Sequence, residues 1–246
     1  MNRFIAIFVA LALLGACSTP SENTQAYKSA KVHTELAGLY YQRAQFGIAL
    51  DEISKALNAD SDYAPAYNVR ALIHMALRED KDAEADFRKS LDLNSTNSDT
   101  HNNYGWYLCQ NDRAKEAIPQ FMDAIKNPLY TTPGLAYLNA GLCSRKAGNN
   151  KDAEFFLQKA LQVQPDSSQA MFALADLSFA NGDYFSAKKY FAGFSQKSDN
   201  LTAEQLWLGI RINRKIGDRN TAASYAMQLR NRFPDAPETQ MLMNGE

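Results

Sequence analysis

Cys109, Cys143 and the histidines His33, His74 and His101 are the side chains here best equipped for chemistry, because thiolates pair or attack and imidazoles bind metals or move protons. Their placing argues against catalysis and metal binding. The histidines stand far apart, none has a second histidine one helical turn away, and no ligand spacing occurs. Neither a glycine-rich phosphate loop nor a Gly-x-Ser-x-Gly nucleophile turn is present. The many carboxylates read as solvated helix faces. No enzymatic activity, cofactor or metal is expected. The rival reading of a different class is an enzyme using an unrecognised acidic pair, which loss of activity on replacing one carboxylate would reveal.

What positions the two cysteines is a repeat. Alanine recurs at Ala49, Ala83, Ala117, Ala153, Ala187 and Ala222, in steps of 34, 34, 36, 34 and 35 residues. Twelve or thirteen residues before each stands a small residue, Ala37, Ala71, Gly105, Gly141, Ala175 or Gly209. Four residues after each comes Ile53, Phe87, Phe121, Leu157, Phe191 or, less well, Ala226. Small residues permit two helices to cross closely, and the apolar residue one turn on fills the space beside the crossing. A period near 34 marks a tetratricopeptide (TPR) array, in which a helical hairpin buries its apolar face only against its neighbours. The expected fold is all-α, a right-handed superhelix of six TPR hairpins over 30–63, 64–97, 98–133, 134–167, 168–200 and 201–236, with a polar tail over 237–246.

Leu36, Tyr40, Ile48 and Leu57 carry the helical spacing of the first hairpin. Pro119 falls early in a second helix, and Gly148, Gly182 and Gly217 mark inter-helix turns. Gly193 reads as a weak point in the fifth hairpin. The segment Asn127 to Pro133 adds two residues to the period, so a bend is expected between the third and fourth hairpins.

Composition is that of an ordinary soluble chain, with 46% hydrophobic and 22% charged residues, and the formal net charge of −1 gives no general pull toward nucleic acid or anionic lipid. The first residues differ in kind. Arg3 precedes the unbroken apolar run Phe4 to Leu14, too short to span a bilayer as a helix, and Leu14-Gly15-Ala16-Cys17 resembles a bacterial lipobox. Residues 1–16 therefore read as a lipoprotein signal peptide, Cys17 as the lipidated residue, and 17–29 as a flexible tether. Ser18 stands where an inner-membrane retention aspartate would be sought, which implies the periplasmic face of the outer membrane. That compartment is oxidising. Cys109 and Cys143 lie on neighbouring first helices, offset by the two-residue slip, so a disulfide is expected, two buried free thiols being the alternative.

First helices line the concave face of such an array, and their face positions give a partner-binding stripe. It comprises Thr34, Gly38 and Tyr41, then Asn68, Leu72 and Met75, then Asn102, Trp106 and Cys109, then Leu138, Leu142 and Arg145. Apolar and aromatic side chains with amides alongside suit an extended or helical protein segment. The run Asn102 to Cys109 is the sharpest local feature, with Trp106 on the binding face. Arg211, Arg214, Lys215 and Arg219 near the last hairpin read as a solvated face, a second contact being the alternative.

With the lipobox, the tether and six hairpins, the runs Asn102-Asn103-Tyr104-Gly105-Trp106-Tyr107-Leu108-Cys109, Asn139-Ala140-Gly141-Leu142-Cys143-Ser144, Leu208-Gly209-Ile210-Arg211 and Asp218 to Tyr225 resemble the type IV pilus biogenesis lipoproteins PilF/PilW. The resemblance covers nearly the whole chain. It implies a pilotin, an outer-membrane lipoprotein that binds the pilus secretin PilQ, promotes its targeting and multimerisation, and so supports twitching motility. A monomer with no nucleic-acid or small-molecule ligand is expected. The alternative of the same class is a TPR lipoprotein scaffold for another envelope machine, serving outer-membrane protein assembly or cell-wall enzymes.

Overall fold

A computed structural model of the chain describes residues 24–198 and 200–245. The signal segment and Cys17 lie outside the described residues. Among those described, thirteen α-helices and no strands occur. Six antiparallel hairpins follow one another: α1 (Gln25–Gln42) with α2 (Phe46–Ala59), α3 (Ala64–Leu77) with α4 (Asp80–Leu93), and α5 (Ser98–Gln110) with α6 (Ala114–Lys126). Then come α7 (Pro133–Lys146) with α8 (Asn150–Val163), α9 (Ser168–Ala180) with α10 (Tyr184–Ser195), and α11 (Ala203–Ile216) with α12 (Arg219–Arg232). The last helix is α13 (Pro237–Met243). Each second helix packs on the first helix of the next hairpin, and first helices pack side by side from α1 to α9. The TPR superhelix read from the register is the fold of the chain.

The register positions do what their sizes dictate. Ala49, Ala83, Ala117, Ala153 and Ala187 are 0% exposed, as are Ile53, Phe87, Phe121 and Leu157. A Cβ on Gly141 would lie 2.7 Å from Leu157 Cγ, so the hairpin closes there only over glycine. In the last hairpin, where Ala226 leaves space, Gly209 receives Phe191 from the hairpin before and Tyr225 from its own. Capping is local: Thr24, Asn97, Asn149, Ser167, Asp183, Thr202 and Asp218 each accept a first-turn backbone N–H, and Thr202 forms a reciprocal capping box with Gln205.

Several expectations are corrected. α1 starts at Gln25, inside the stretch read as tether, because Thr24 Oγ1 accepts from Tyr27 N at 3.1 Å and Tyr27 packs edge-on against Tyr63. The stretch 237–246 is not simply a polar tail: α13 packs on α11 and α12, buries Leu242, and is pinned by Thr239 Oγ1 donating to Phe233 O at 2.6 Å. Leu36 and Ile48 are exposed rather than core residues. Pro119 sits at the sixth position of α6, past the first turn, and forgoes one helical hydrogen bond. Gly193 has a packing reason, since a Cβ there would lie 3.2 Å from the Met171 sulfur.

Candidate functional site

Hairpins three and four form the most heavily braced part of the array. Cys109 of α5 and Cys143 of α7 are joined sulfur to sulfur with their Cα atoms 5.7 Å apart, and both are buried. Beside them Lys146 Nζ donates to Cys109 O and Gln110 O, each at 3.0 Å, and pairs with Asp112 Oδ1 at 2.8 Å. A cation thus caps the carbonyl end of α5, where the helix dipole favours it. On the other side of α5, Tyr107 OH donates to Asp80 O at 2.9 Å, and Tyr104 OH donates to Glu84 Oε1 at 3.0 Å. Arg113 holds the same Glu84 with two hydrogen bonds, of 2.9 and 3.1 Å, and Arg88 adds another at 2.6 Å. The Arg113 guanidinium, helped by Arg88 and Tyr104, pulls the Glu84 carboxyl down to about 2. These bonds tie α4 to α5 and α6 across the hairpin boundary.

The face built on this brace differs in part from the expected stripe. Gly38, Leu72, Trp106 and Leu142 each follow directly on a small register residue and are half-buried, as are Tyr41 and Met75. Leu72, Met75 and Trp106 pack against one core cluster, the one containing both cysteines. Tyr41 lies against Phe46, ring centroids 6.0 Å apart. Thr34, Asn68, Asn102, Cys109 and Leu138, by contrast, are buried and unavailable as contact residues. Thr34 turns back onto Ala30 O at 2.8 Å. The amides bond one another between first helices: Asn103 Nδ2 donates to Asn68 Oδ1 at 3.2 Å, and Asn139 Nδ2 donates to Asn102 Oδ1 at 3.0 Å. Sequence reasoning offered these amides to a partner backbone; instead they zip α3 to α5 and α5 to α7. Arg145 is ion-paired with Asp176 on α9, and Asp176 ends the apolar stripe. The side chains of the stripe left partly exposed are Tyr41, Leu72, Met75, Trp106 and Leu142.

The histidines make local bonds. His33 Nδ1 meets Glu52 Oε2 at 2.6 Å, and buried His101 sits between Gln120 Oε1 at 2.7 Å and Ser95 O at 3.0 Å. His74 bonds Glu79 at 2.5 Å, and ligand-type atoms of His74, Glu79 and Asp82 lie within 4.8 Å of one another at the α3–α4 turn. Sequence spacing missed this grouping because the three side chains come from two helices and the turn between them.

A solenoid of helical hairpins presenting a half-buried apolar stripe on its first helices defines a tetratricopeptide interaction scaffold, and the tetratricopeptide-repeat family model matches residues 64–97 and 144–200. The type IV pilus assembly protein PilF of Pseudomonas aeruginosa is 31% identical over 201 residues, covering 82% of this chain and 79% of that one. The crystal structure of PilW, a widely conserved type IV pilus biogenesis factor, superposes with a TM-score of 0.80 at 32% identity over 87% of this chain and 98% of that one. That of Pseudomonas aeruginosa PilF gives 0.84 at 29% identity over 91% and 100%. The chain belongs to the PilF/PilW family of type IV pilus biogenesis proteins. Among the described residues no helix is long and apolar enough to cross a membrane.

Proposed function

We propose that the protein is a pilotin, acylated at Cys17, held at the periplasmic face of the outer membrane, and gripping a segment of the pilus secretin PilQ on its first-helix face. The observation that carries this reading is Trp106. A family member shared with pilus assembly proteins keeps a large aromatic half-exposed on the hairpin it braces most heavily. Burial of that ring and of Leu72, Met75 and Leu142 would supply most of the grip. Two acyl-chain signals or more would hold the protein at the membrane without a spanning helix. The bound secretin subunit would thereby arrive at the membrane where its multimer assembles. An oxidised Cys109–Cys143 bond suits that compartment.

Deletion of the gene tests the reading. Secretin multimers on unheated gels, surface pili and twitching motility should all be lost together. Normal levels of all three would overturn it.

A further inference from the structure

The stack of hairpins ends unfinished. Inside the array, every second helix is covered along its length by the next first helix, which runs 14 residues in α3 and in α11. α13 takes that place after α12 but runs only 7 residues. Because it enters from the C-terminal end of α12 and runs back along it, α13 leaves the first half of α12 uncovered. Ala222 accordingly is 7% exposed where its five counterparts are at 0%.

A cavity of about 670 Å³ occupies the uncovered place. Ala222, Ala223, Ala226 and Met227 of α12 form its floor and Leu242 of α13 closes one end, while Arg214, Arg219 and Arg230 stand around it. Helices α11 and α12 carry six basic residues, Arg211, Arg214, Lys215, Arg219, Arg230 and Arg232, against one acidic residue, Glu204, with Asp218 as the α12 N-cap. Arg211 is engaged by the Phe179 ring at 4.8 Å and Arg232 by Phe233 at 5.1 Å. Asp218 is held by Lys188 at 3.1 Å. Arg219 and Arg230 have no carboxylate partner among the described residues.

We propose that this end of the superhelix receives an acidic amphipathic helix from a protein partner, which continues the solenoid where α13 stops. The space left corresponds to about two helical turns, roughly 10 Å of helix. Its small-residue floor admits a helix at close approach, exposed Met227 meets apolar side chains, and the two unpaired arginines select carboxylates. A lipid headgroup would satisfy the arginines but not the apolar floor between them. The inference does not rest on the pilotin reading, because it concerns the C-terminal end of the array, beyond the hairpins that carry Trp106 and Leu142.

The test uses the purified protein and a fluorescein-labelled helical peptide with glutamates on one face and leucines on the other, read by anisotropy. Binding should weaken with added salt, and a peptide with lysines for glutamates should not bind. The Arg219→Glu/Arg230→Glu variant should raise the Kd about tenfold or more, as removal of complementary charge does at an interface. Ala223→Trp should block the cavity without touching charge. Both variants should keep the wild-type helical signal, and the charge variant, being confined to exposed residues, decides the matter if the bulky one unfolds. Equal binding by wild type and charge variant, or binding of the lysine peptide, would overturn the proposal. Binding to phosphatidylglycerol vesicles without binding to the peptide would also overturn it and assign the surface to lipid.

Discussion

Gly105 of α5 lies so close to Phe121 of α6 that a Cβ on the glycine would stand 2.8 Å from the ring Cε1 and 2.9 Å from Cδ1. The hairpin carrying Trp106 is therefore closed at a contact that only hydrogen permits. Phe121 is fully buried and has nowhere to retreat. Gly105→Ala should cost about 1–3 kcal/mol by overpacking, read as a lower urea midpoint.

The turn inside each hairpin gives a prediction of opposite sign. Gly148 and Gly217 carry the positive φ this turn requires, 78° and 81°, whereas the second hairpin places Arg78 there at 61°. A side chain in that region costs about 1–2 kcal/mol, partly offset by the greater freedom glycine has when unfolded. Arg78→Gly should raise the urea midpoint, with a net gain of about 0.5–1 kcal/mol.

The cysteine pair closes a loop with a sequence separation of 34. Loop-closure entropy then gives on the order of 3–4 kcal/mol of stability. Replacing both Cys109 and Cys143 with serine should lower stability by up to that amount, and treatment with reductant should move the wild type, but not the variant, toward the same midpoint.

Glu84 makes part of the stability depend on pH. Its carboxyl is held down to about 2 in the folded protein by Arg113, with help from Arg88 and Tyr104, against about 4.3 when unfolded. The unfolded chain takes up the proton first, so the contribution is complete above about pH 4.5 and is lost as pH falls toward 2. Glu84→Gln should be less stable than wild type at pH 7, by about 1–3 kcal/mol, with the gap narrowing over that acid window in thermal melts at a series of pH values.

The alanine register made the hairpins legible because a crossing point tolerates few residue types, and Gly141 against Leu157 shows how little tolerance there is. The ends were harder to read. A short helix such as α13 shows no period of its own and is held by two contacts, Thr239 and Leu242, that only the folded array supplies. The half-buried apolar stripe was legible at Leu72, Trp106 and Leu142, each one residue past a small register position. It was misread at Asn68 and Asn102, because an asparagine on a helix face looks the same in sequence whether it faces a partner or the next helix. Their neighbours Asn103 and Asn139, one helix over, were the available signal.

The proposed grip on the secretin is tested most directly by Trp106→Ala in a strain lacking the native gene, with secretin multimers measured on unheated gels. The ring is half-buried, so the variant should accumulate and keep its helical signal while multimers fall well below the wild-type level. Wild-type multimer levels with a normally folded Trp106→Ala protein would contradict the account.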